Sequence, residues 1–391
     1  MAAQGFVFCA LLLLIAHHVG ADEVPFTEVV NAYQRNAVCL DGSAAGYHLA
    51  SGYGDGAKNW IVYLKGGGWC EDNQACQRNK TTSVGSSRGI NFVNLTGILN
   101  QSPDVNPDFY NWNRVYVIYC DQASFLGDSS IGQGVTQLDF RGSRIYDAVI
   151  DDLLAKGMNC ADNAILAGRS AGGLATILHC DEFRARLPNA SRVKCISDAG
   201  FFIRAKDLPN ADFRQGFYAS IIKFHNISSF LPRSCTERID SNLCLFPEYF
   251  VGDVQTPLFL LNSAFDFYQL QNNLVPQTSP DWEKWNKGLG DLQNCPDSQK
   301  QLIKDFGMTF LNAIMEIPDN PSRGLFIYPC LTHTVTTSSS DKQSTIDVFW
   351  NPNSTVKLEN MTILEAVSNW YFDRGSIKLI ESLDFPQYCY K

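Results

Sequence analysis

The chain has 391 residues, of which 45% are hydrophobic and 18% are charged. This composition is typical of a globular protein and excludes a disordered or collagen-like chain. The formal net charge is −9 and no Lys/Arg-rich run is present, so we expect neither nucleic acid nor an anionic membrane surface as a partner.

Residues 1–21 have the pattern of a secretory signal peptide. An apolar stretch at 6–16 is followed by small residues at 19–21, which fit cleavage near Ala21. The stretch is too short to span a bilayer comfortably, and no second run of about 18 apolar residues follows, so we expect no membrane insertion. A membrane anchor is the alternative interpretation. We expect the rest, 22–391, to form one enlarged catalytic domain, although its length also allows two domains.

Short apolar runs rich in β-formers alternate with segments of helical spacing along the chain. Strands are predicted at 60–64, 115–119, 163–168, 193–197, 257–262 and 325–328, and helices at 144–155, 171–187, 298–315 and 362–373. Apolar strands that alternate with helices favour a mostly parallel sheet covered on both faces. The predicted fold class is therefore α/β, with a three-layer α/β/α arrangement.

The cysteine content indicates an oxidising compartment. Of the 13 cysteines, 12 remain when Cys9 leaves with the signal peptide, and this even number allows up to six disulfides. Short spacings favour three local bridges: Cys70–Cys76, Cys180–Cys195 and Cys235–Cys244. A zinc site is the alternative, but the chain has no CxxC pair and no HExxH motif, so we expect no metal.

Seven Asn-x-Ser/Thr sequons are candidates for glycosylation, and each one that is used must lie on the surface. They are Asn79, Asn94, Asn100, Asn189, Asn226, Asn353 and Asn360.

The pentapeptide at 168–172 reads G-R-S-A-G and is a candidate nucleophile site. A predicted strand precedes it and a predicted helix follows, which is the setting of a nucleophile elbow. In that setting Ser170 stands at a helix N-terminus, where the helix dipole favours developing negative charge. An ordinary Gly-rich turn between a strand and a helix is the alternative interpretation.

A second glycine-rich segment, at 65–69, follows the first of these predicted strands. Acyl transfer builds an oxyanion that needs backbone N–H donors, and glycines let the backbone approach it closely. In α/β-hydrolases such a loop shares the oxyanion hole with the residue after the nucleophile. The candidate donors here are Gly67, Gly68 and Ala171. A phosphate-binding loop is the alternative, although no GxxxxGK[ST] or GxGxxG motif is present.

The order Ser…Asp/Glu…His of α/β-hydrolases narrows the choice of base and acid. His179 lies too near Ser170 to swing back, and His225 precedes the strand that should carry the acid. His333, after a late strand, is the candidate base. Asp266, just past a buried strand, is the candidate acid, and Asp253 is its nearest rival. A structural histidine at position 333 is the alternative interpretation.

Four stretches carry a resemblance to a known family: KGGGWC at 65–70, LAGRSAGGLATILHCDEF at 166–183, LLNSAFDFYQLQN at 260–272 and CLTH at 330–333. With further segments, they resemble the plant pectin acetylesterases, which are related to the extracellular carboxylesterase Notum. The resemblance covers nearly all of the mature chain. It implies an α/β-hydrolase-like fold, a triad of Ser170, Asp266 and His333, and an oxyanion hole at Gly67, Gly68 and Ala171.

The chain departs from the family pattern at a few positions. Arg169 replaces a small residue or Cys before the nucleophile, Gln122 replaces a Gly, and Tyr268 stands where Trp is common. The motif around the histidine also differs, because Thr332 and Thr334 flank His333.

The resemblance implies a secreted serine esterase that releases acetate from pectin in the cell wall, without a cofactor. The expected partner is acetylated pectic polysaccharide, and we expect a monomer. Two other functions remain open: a Notum-like carboxylesterase that acts on a lipid acyl ester, and a carbohydrate-binding relative with little turnover.

Overall fold

A computed structural model describes residues 23–337, 348–381 and 384–389. The predicted signal peptide, 1–21, lies outside the described residues. No helix in the described part of the chain has the length and apolar character needed to cross a membrane.

Ten of the strands form a central sheet. The strands are β1 (Glu23–Glu28), β2 (Gly46–Ala50), β3 (Asn59–Leu64), β4 (Phe92–Asn94), β5 (Asn113–Val117), β6 (Ser129–Ile131), β7 (Leu138–Phe140), β8 (Asn163–Arg169), β9 (Arg192–Asp198), β10 (Leu258–Ser263), β11 (Gly324–Tyr328), β12 (Lys357–Leu358), β13 (Met361–Thr362) and β14 (Lys378–Ile380). The order in the sheet is β14-β11-β10-β9-β8-β3-β5-β2-β1-β4. From β14 to β5 the neighbouring strands are parallel, and from β5 to β4 they are antiparallel. Two short hairpins, β6–β7 and β12–β13, lie apart from this sheet.

The helices connect the strands and cover the sheet. They are α1 (Asn73–Asn79), α2 (Gly142–Ala155), α3 (Ala171–Arg186), α4 (Ala211–Phe224), α5 (Arg233–Thr236), α6 (Phe267–Asn273), α7 (Trp282–Gly290), α8 (Asp297–Met315) and α9 (Ile363–Tyr371). Short 3₁₀ turns fill several connections, including residues 241–243 and 247–249.

The two largest hydrophobic cores lie on opposite faces of the sheet, because successive side chains of a strand point to opposite faces. On β3, Val62 and Leu64 join the larger core, which also contains the buried faces of α2, α3 and α8. Ile61 and Tyr63 join the second core, which contains α9 and the segment 95–112. A mostly parallel sheet covered on both faces confirms the predicted α/β class.

The predicted strands and helices are all present, with small shifts at their ends. The largest shift is at 115–119, where the strand is β5 and ends at Val117. Ile118 and Tyr119 lie in the loop that follows β5 and are buried there, so the apolar run in the sequence extends beyond the strand. The antiparallel strands β1, β2 and β4 were not predicted, because their sequences contain Gly, Pro, His and Asn and show no long apolar run.

Five disulfides link ten cysteines of the described chain: Cys39–Cys120, Cys70–Cys76, Cys180–Cys195, Cys235–Cys244 and Cys330–Cys389. The three local bridges expected from short spacing are among them. The upper limit of six is not reached, because Cys160 and Cys295 are unpaired. Cys160 is exposed and Cys295 is buried, in separate parts of the fold.

Candidate active site

Ser170 occupies a sharp turn between a strand and a helix. β8 ends at Arg169 and α3 begins at Ala171, so Ser170 is the N-cap residue, with φ 55° and ψ −126°. A non-glycine residue with positive φ is strained and persists only where the surroundings hold it. The close packing of the turn requires Gly172, since a Cβ there would lie 2.2 Å from the carbonyl oxygen of Leu64. The sequence G-R-S-A-G therefore does form the elbow that its context predicts.

Three candidate residues distant in sequence meet at this turn. The His333 Nε2 atom lies 2.8 Å from the Ser170 Oγ atom, and the His333 Nδ1 atom lies 2.7 Å from Asp266 Oδ2. Ser170 is 8% exposed and Asp266 is fully buried, whereas the His333 side chain is 20% exposed. Both distances are within normal hydrogen-bond range. The geometry therefore suits transfer of a proton from the serine to the imidazole.

Asp266 is placed by the helix that follows it. β10 ends at Ser263, and α6 begins one residue after Asp266. One carboxylate oxygen caps α6 by accepting the N–H of Gln269 at 2.9 Å, which leaves the other oxygen for His333. This helix cap fixes the orientation of the carboxylate that contacts the imidazole.

The glycine-rich loop after β3 runs beside the elbow. A Cβ on Gly66 would lie 2.8 Å from the Ser170 Cβ atom, so only glycine allows this approach. Two carbonyl oxygens of the loop accept hydrogen bonds. That of Gly67 accepts one from Gln122 Nε2 at 3.3 Å, and that of Gly68 accepts one from the Tyr119 hydroxyl at 2.7 Å.

The N–H groups of Gly67, Gly68 and Ala171 have no acceptor among the described residues. These three N–H groups therefore stay the candidate donors for an anion that forms at Ser170, next to the N-terminus of α3.

The other histidines and the rival carboxylate have partners of their own. His48 contacts the carbonyl oxygen of Val24 at 2.8 Å, and His179 stacks on Tyr146 with ring centroids 3.9 Å apart. Asp253 forms an ion pair with Arg238 on the surface, at 2.6 Å.

His225 is fully buried and supports the chain just after the oxyanion loop. Its Nε2–H donates to the carbonyl oxygen of Cys70 at 2.7 Å. The sulfurs of Cys70 and Cys76 lie close to this ring, and within the described part of the chain they form the one group of three potential metal ligands with it. Because the two sulfurs are bonded to each other, the group has no pair of free thiolates to offer a metal.

Aromatic rings pack around the catalytic candidates, an arrangement that the sequence analysis did not predict. Tyr268 stacks on His333 with centroids 5.2 Å apart and an interplanar angle of 25°. Trp69 packs on Phe202 at 5.0 Å and on Tyr218 at 5.5 Å. Trp69 and Tyr268 stand beside motif residues and Phe202 ends a stretch that resembles the family, which was a signal for them, whereas Tyr218 lies outside those stretches and reaches the site through the fold.

Two charged groups near the elbow have shifted pKa values. Burial, together with the nearby charge of Arg169, lowers the pKa of Lys65 to about 8. Burial raises the pKa of Asp198, and hydrogen bonds from Thr336 and Val335 oppose that shift.

The pKa of His225 predicts a loss of stability in acid. Burial lowers this pKa to about 4, whereas a histidine in the unfolded chain has a pKa of about 6.5. As pH falls from about 6.5 to about 4, the unfolded chain binds a proton that the folded protein does not, so the free energy of unfolding decreases. The expected loss is on the order of 3 kcal/mol.

A comparison with His225→Gln isolates this effect, since glutamine keeps an N–H donor but does not titrate. The comparison is necessary because Asp121 has the opposite dependence: burial raises its pKa to about 7, which favours the folded state at low pH. Unfolding by urea at pH 4.5 and 7 should show a smaller acid loss in His225→Gln than in the wild type. Equal losses in the two proteins would contradict the assignment.

Comparisons with known proteins identify the family of this chain. The pectinacetylesterase family model matches residues 18–390. Pectin acetylesterase 7 of Arabidopsis thaliana is 41% identical over 373 residues, which cover 95% of this chain and 93% of the relative. Pectin acetylesterase 11 of the same plant is 40% identical over 376 residues, which cover 96% of this chain and 94% of the relative.

More distant relatives extend the comparison. Palmitoleoyl-protein carboxylesterase notum2 of Xenopus laevis is 28% identical, over 77% of this chain and 61% of the relative. The structure of the Wnt deacylase Notum from Drosophila superposes with a TM-score of 0.75 and 23% identity, over 93% of this chain and 98% of that one. This likeness confirms the α/β-hydrolase-like fold. Since the family model spans nearly the whole chain and the Arabidopsis relatives exceed 30% identity over most of it, the chain belongs to the pectinacetylesterase family.

Proposed function

We propose that this protein hydrolyses acetyl esters of pectin by a Ser-His-Asp acyl-enzyme mechanism. The observation that carries the proposal is the relay from Ser170 through His333 to Asp266, beside free N–H donors. The names of the Arabidopsis relatives supply the substrate class.

In the proposed mechanism, His333 Nε2 takes the proton of Ser170 as Oγ attacks the acetyl carbonyl carbon. Asp266 holds the imidazole in the tautomer with a proton on Nδ1 and stabilises the imidazolium. Backbone N–H groups of Gly67, Gly68 and Ala171 stabilise the oxyanion. The imidazolium then protonates the leaving sugar oxygen, and the serine keeps the acetyl group. In the second half of the reaction, His333 takes a proton from water as the water oxygen attacks the acetyl carbon, and the imidazolium returns that proton to Ser170 Oγ as the acyl bond breaks and acetate leaves.

The aromatic packing favours a short acyl group over a lipid chain. Phe202 and Tyr218 are fully buried and Trp69 is 7% exposed, so among the described residues these rings pack on one another. A long acyl chain would need several of these rings to move, whereas an acetyl group adds only one methyl group beyond its carbonyl.

Two cationic side chains beside the elbow suit a substrate that carries carboxylates. The protein as a whole has a net charge of −9 and repels a polyanion at long range. Lys65 and Arg169 place two cations beside the elbow, and the pKa of Lys65, about 8, keeps it mostly protonated at neutral and acid pH.

Acetate release from acetylated pectin, measured beside acetylated xylan, tests the proposed substrate. We expect release from pectin to be faster. A series of p-nitrophenyl esters from acetate to palmitate tests the acyl preference, and we expect kcat/KM to fall by more than about tenfold, or 1.4 kcal/mol, by the long-chain end. A preference for palmitate would support the lipid carboxylesterase instead. Absence of both turnover and labelling by a fluorophosphonate would support a carbohydrate-binding protein.

We also propose that residues 1–21 are a secretory leader, that 22–391 act as one catalytic domain, and that the protein works as a monomer in the cell wall. The five disulfides support an oxidising destination.

Four sequon asparagines are exposed and therefore suited to carry glycans: Asn189, Asn226, Asn353 and Asn360. Asn94 and Asn100 are half-buried. Asn79 is poorly suited, because its amide donates to Gln122, which in turn holds the oxyanion loop.

A further inference from the structure

We propose that Asp198 is a positioning residue that sets the spacing between Ser170 and His333 by binding the backbone beside both. The inference rests on the proposed roles of Ser170 and His333. Asp198 is the last residue of β9, the strand next to β8, and it is fully buried.

The carboxylate of Asp198 holds the loop that carries the histidine. Its Oδ2 atom accepts the N–H groups of Val335 and Thr336, each at 2.8 Å, and the hydroxyl of Thr336 at 2.7 Å. These residues are two and three positions after His333. An ionised acceptor makes hydrogen bonds roughly twice as strong as a neutral one. One oxygen thus gathers three donors and fixes the course of the chain after the histidine.

The main chain of the same residue holds the nucleophile. The carbonyl oxygen of Asp198 accepts the N–H of Ser170 at 2.8 Å. This bond restrains a residue whose φ of 55° is unfavourable, so it helps to maintain the elbow. Asp198 therefore bonds Ser170 directly through its carbonyl oxygen, and through its carboxylate it bonds the chain two and three residues after His333.

The other end of the histidine loop has separate anchors. The N–H of Phe267 donates to the carbonyl oxygen of Thr332 at 3.1 Å, and that of Leu331 donates to Gln387 at 2.8 Å. Without Asp198, the loop would be held firmly before the histidine and more weakly after it.

Arg169 adds a second link between the two halves of the site. Its guanidinium donates to the carbonyl oxygen of Thr337 at 2.9 Å. The residue immediately before the nucleophile thus also holds the histidine loop, which gives a structural role to this departure from the family pattern.

Asp198 does not compete with Asp266 as the catalytic acid. Asp266 contacts the imidazole directly at 2.7 Å, whereas the bonded oxygen of Asp198 is occupied by main-chain and hydroxyl donors of the loop. An error of about 1 Å in the placement of a catalytic group can cost 10²-fold in rate, so a residue that acts only through position can still have a large effect.

The test begins with Asp198→Asn, which keeps the size of the side chain and the carbonyl bond to Ser170 but removes the charge. With p-nitrophenyl acetate, kcat should fall by about 10–100-fold while KM changes little, because the substrate contacts remain. The matched control is Asp152→Asn. Asp152 is another buried carboxylate, on α2, which accepts the Tyr47 hydroxyl at 2.6 Å. The Asp152→Asn variant should be less stable than the wild type but should keep the wild-type kcat.

A double-mutant cycle separates positioning of His333 from a general structural role. In a His333→Ala background, Asp198→Asn should have less than about a twofold effect on the residual rate, because the group that it positions is absent. If the full loss persists in that background, or if Asp198→Asn alone is harmless, the positioning role is wrong. If His333→Ala itself is active, the proposed mechanism has failed, which is a different outcome.

A milder variant covers the case in which Asp198→Asn does not fold. Thr336→Val removes one of the three donors, and kcat should fall severalfold, whereas Thr336→Ser keeps the hydroxyl and should match the wild type. The Thr336 hydroxyl also contacts the Tyr63 hydroxyl at 2.6 Å, so Tyr63→Phe is the control for that second bond. Equal rates for Thr336→Val and Thr336→Ser would contradict the proposal.

Discussion

Ser170→Ala should lower kcat for acetate release by about 10³–10⁶-fold, the range found when a triad serine is removed. Alanine removes the only atom that forms the acyl bond, while the oxyanion donors and substrate contacts remain, so binding should persist. The fold should be unaffected, because the elbow depends on the backbone and on its glycines. Acetate release by the purified variant and its thermal unfolding measure the two effects.

Ser197→Ala is a suitable control for this substitution. Ser197 is also buried near the end of a strand, and its hydroxyl donates to the Gly173 carbonyl oxygen at 2.9 Å. Its loss should cost about 1 kcal/mol of stability and leave the rate within about tenfold. Near-normal acetate release by Ser170→Ala would mean that the whole site assignment is wrong.

Removal of the base should have an effect of similar size. His333→Ala leaves Ser170 without a proton acceptor, so we expect kcat to fall by about 10³–10⁶-fold. His225→Ala and His48→Ala should stay within about tenfold, because neither ring is bonded to Ser170. Steady-state kinetics of the three variants on the same ester measure this difference. If His333→Ala were active and His225→Ala inactive, the assignment of His333 as the base would be wrong, and the assignment of Ser170 as the nucleophile would be unaffected.

The hydrogen-bonded relay of Ser170, His333 and Asp266 also predicts the effect of replacing the acid, Asp266. Asp266→Asn should lower kcat by up to about 10⁴-fold, because an amide favours the wrong imidazole tautomer. Asp253→Asn, which only breaks a surface ion pair with Arg238, should change kcat little.

The sequence was most informative where local pattern and chain order coincide. Buried parallel strands are continuous apolar runs, and the elbow has a strict local sequence, so β3, β8, β10 and Ser170 could be found directly. The order of the triad along the chain then left few choices for the acid and the base. The structure brings both chosen residues to Ser170, although their catalytic roles stay predictions until the variants are measured.

Other features depend on contacts between residues far apart in sequence and left no local pattern. The bridges Cys39–Cys120 and Cys330–Cys389 span 81 and 59 residues, so spacing could not suggest them. Asp198 ends an apolar strand and resembles an ordinary polar residue at a strand end. Its role emerges only when the loop after His333 folds against it.

Two departures from the family pattern acquire physical meaning in the structure. Gln122 has a positive φ of 58°, a conformation that a glycine would adopt more easily. Its side chain offsets that strain by bonding both Gly67 and Asn79, so it braces the oxyanion loop. Tyr268, in place of the commoner Trp, still supplies a flat ring against His333.

The histidine loop is attached to a segment that comes late in the chain, residues 387–389. Cys330 is bonded to Cys389, and the N–H of Leu331 donates to the carbonyl oxygen of Gln387. Protein synthesis proceeds from the N-terminus, so the nucleophile and the oxyanion loop are made long before the segment that secures the base. While a nascent chain still lacks residues 387–389, Ser170 can reach its elbow but the loop that carries His333 lacks these two restraints, so we expect the site to be completed only when that segment has been made and Cys389 has been oxidised.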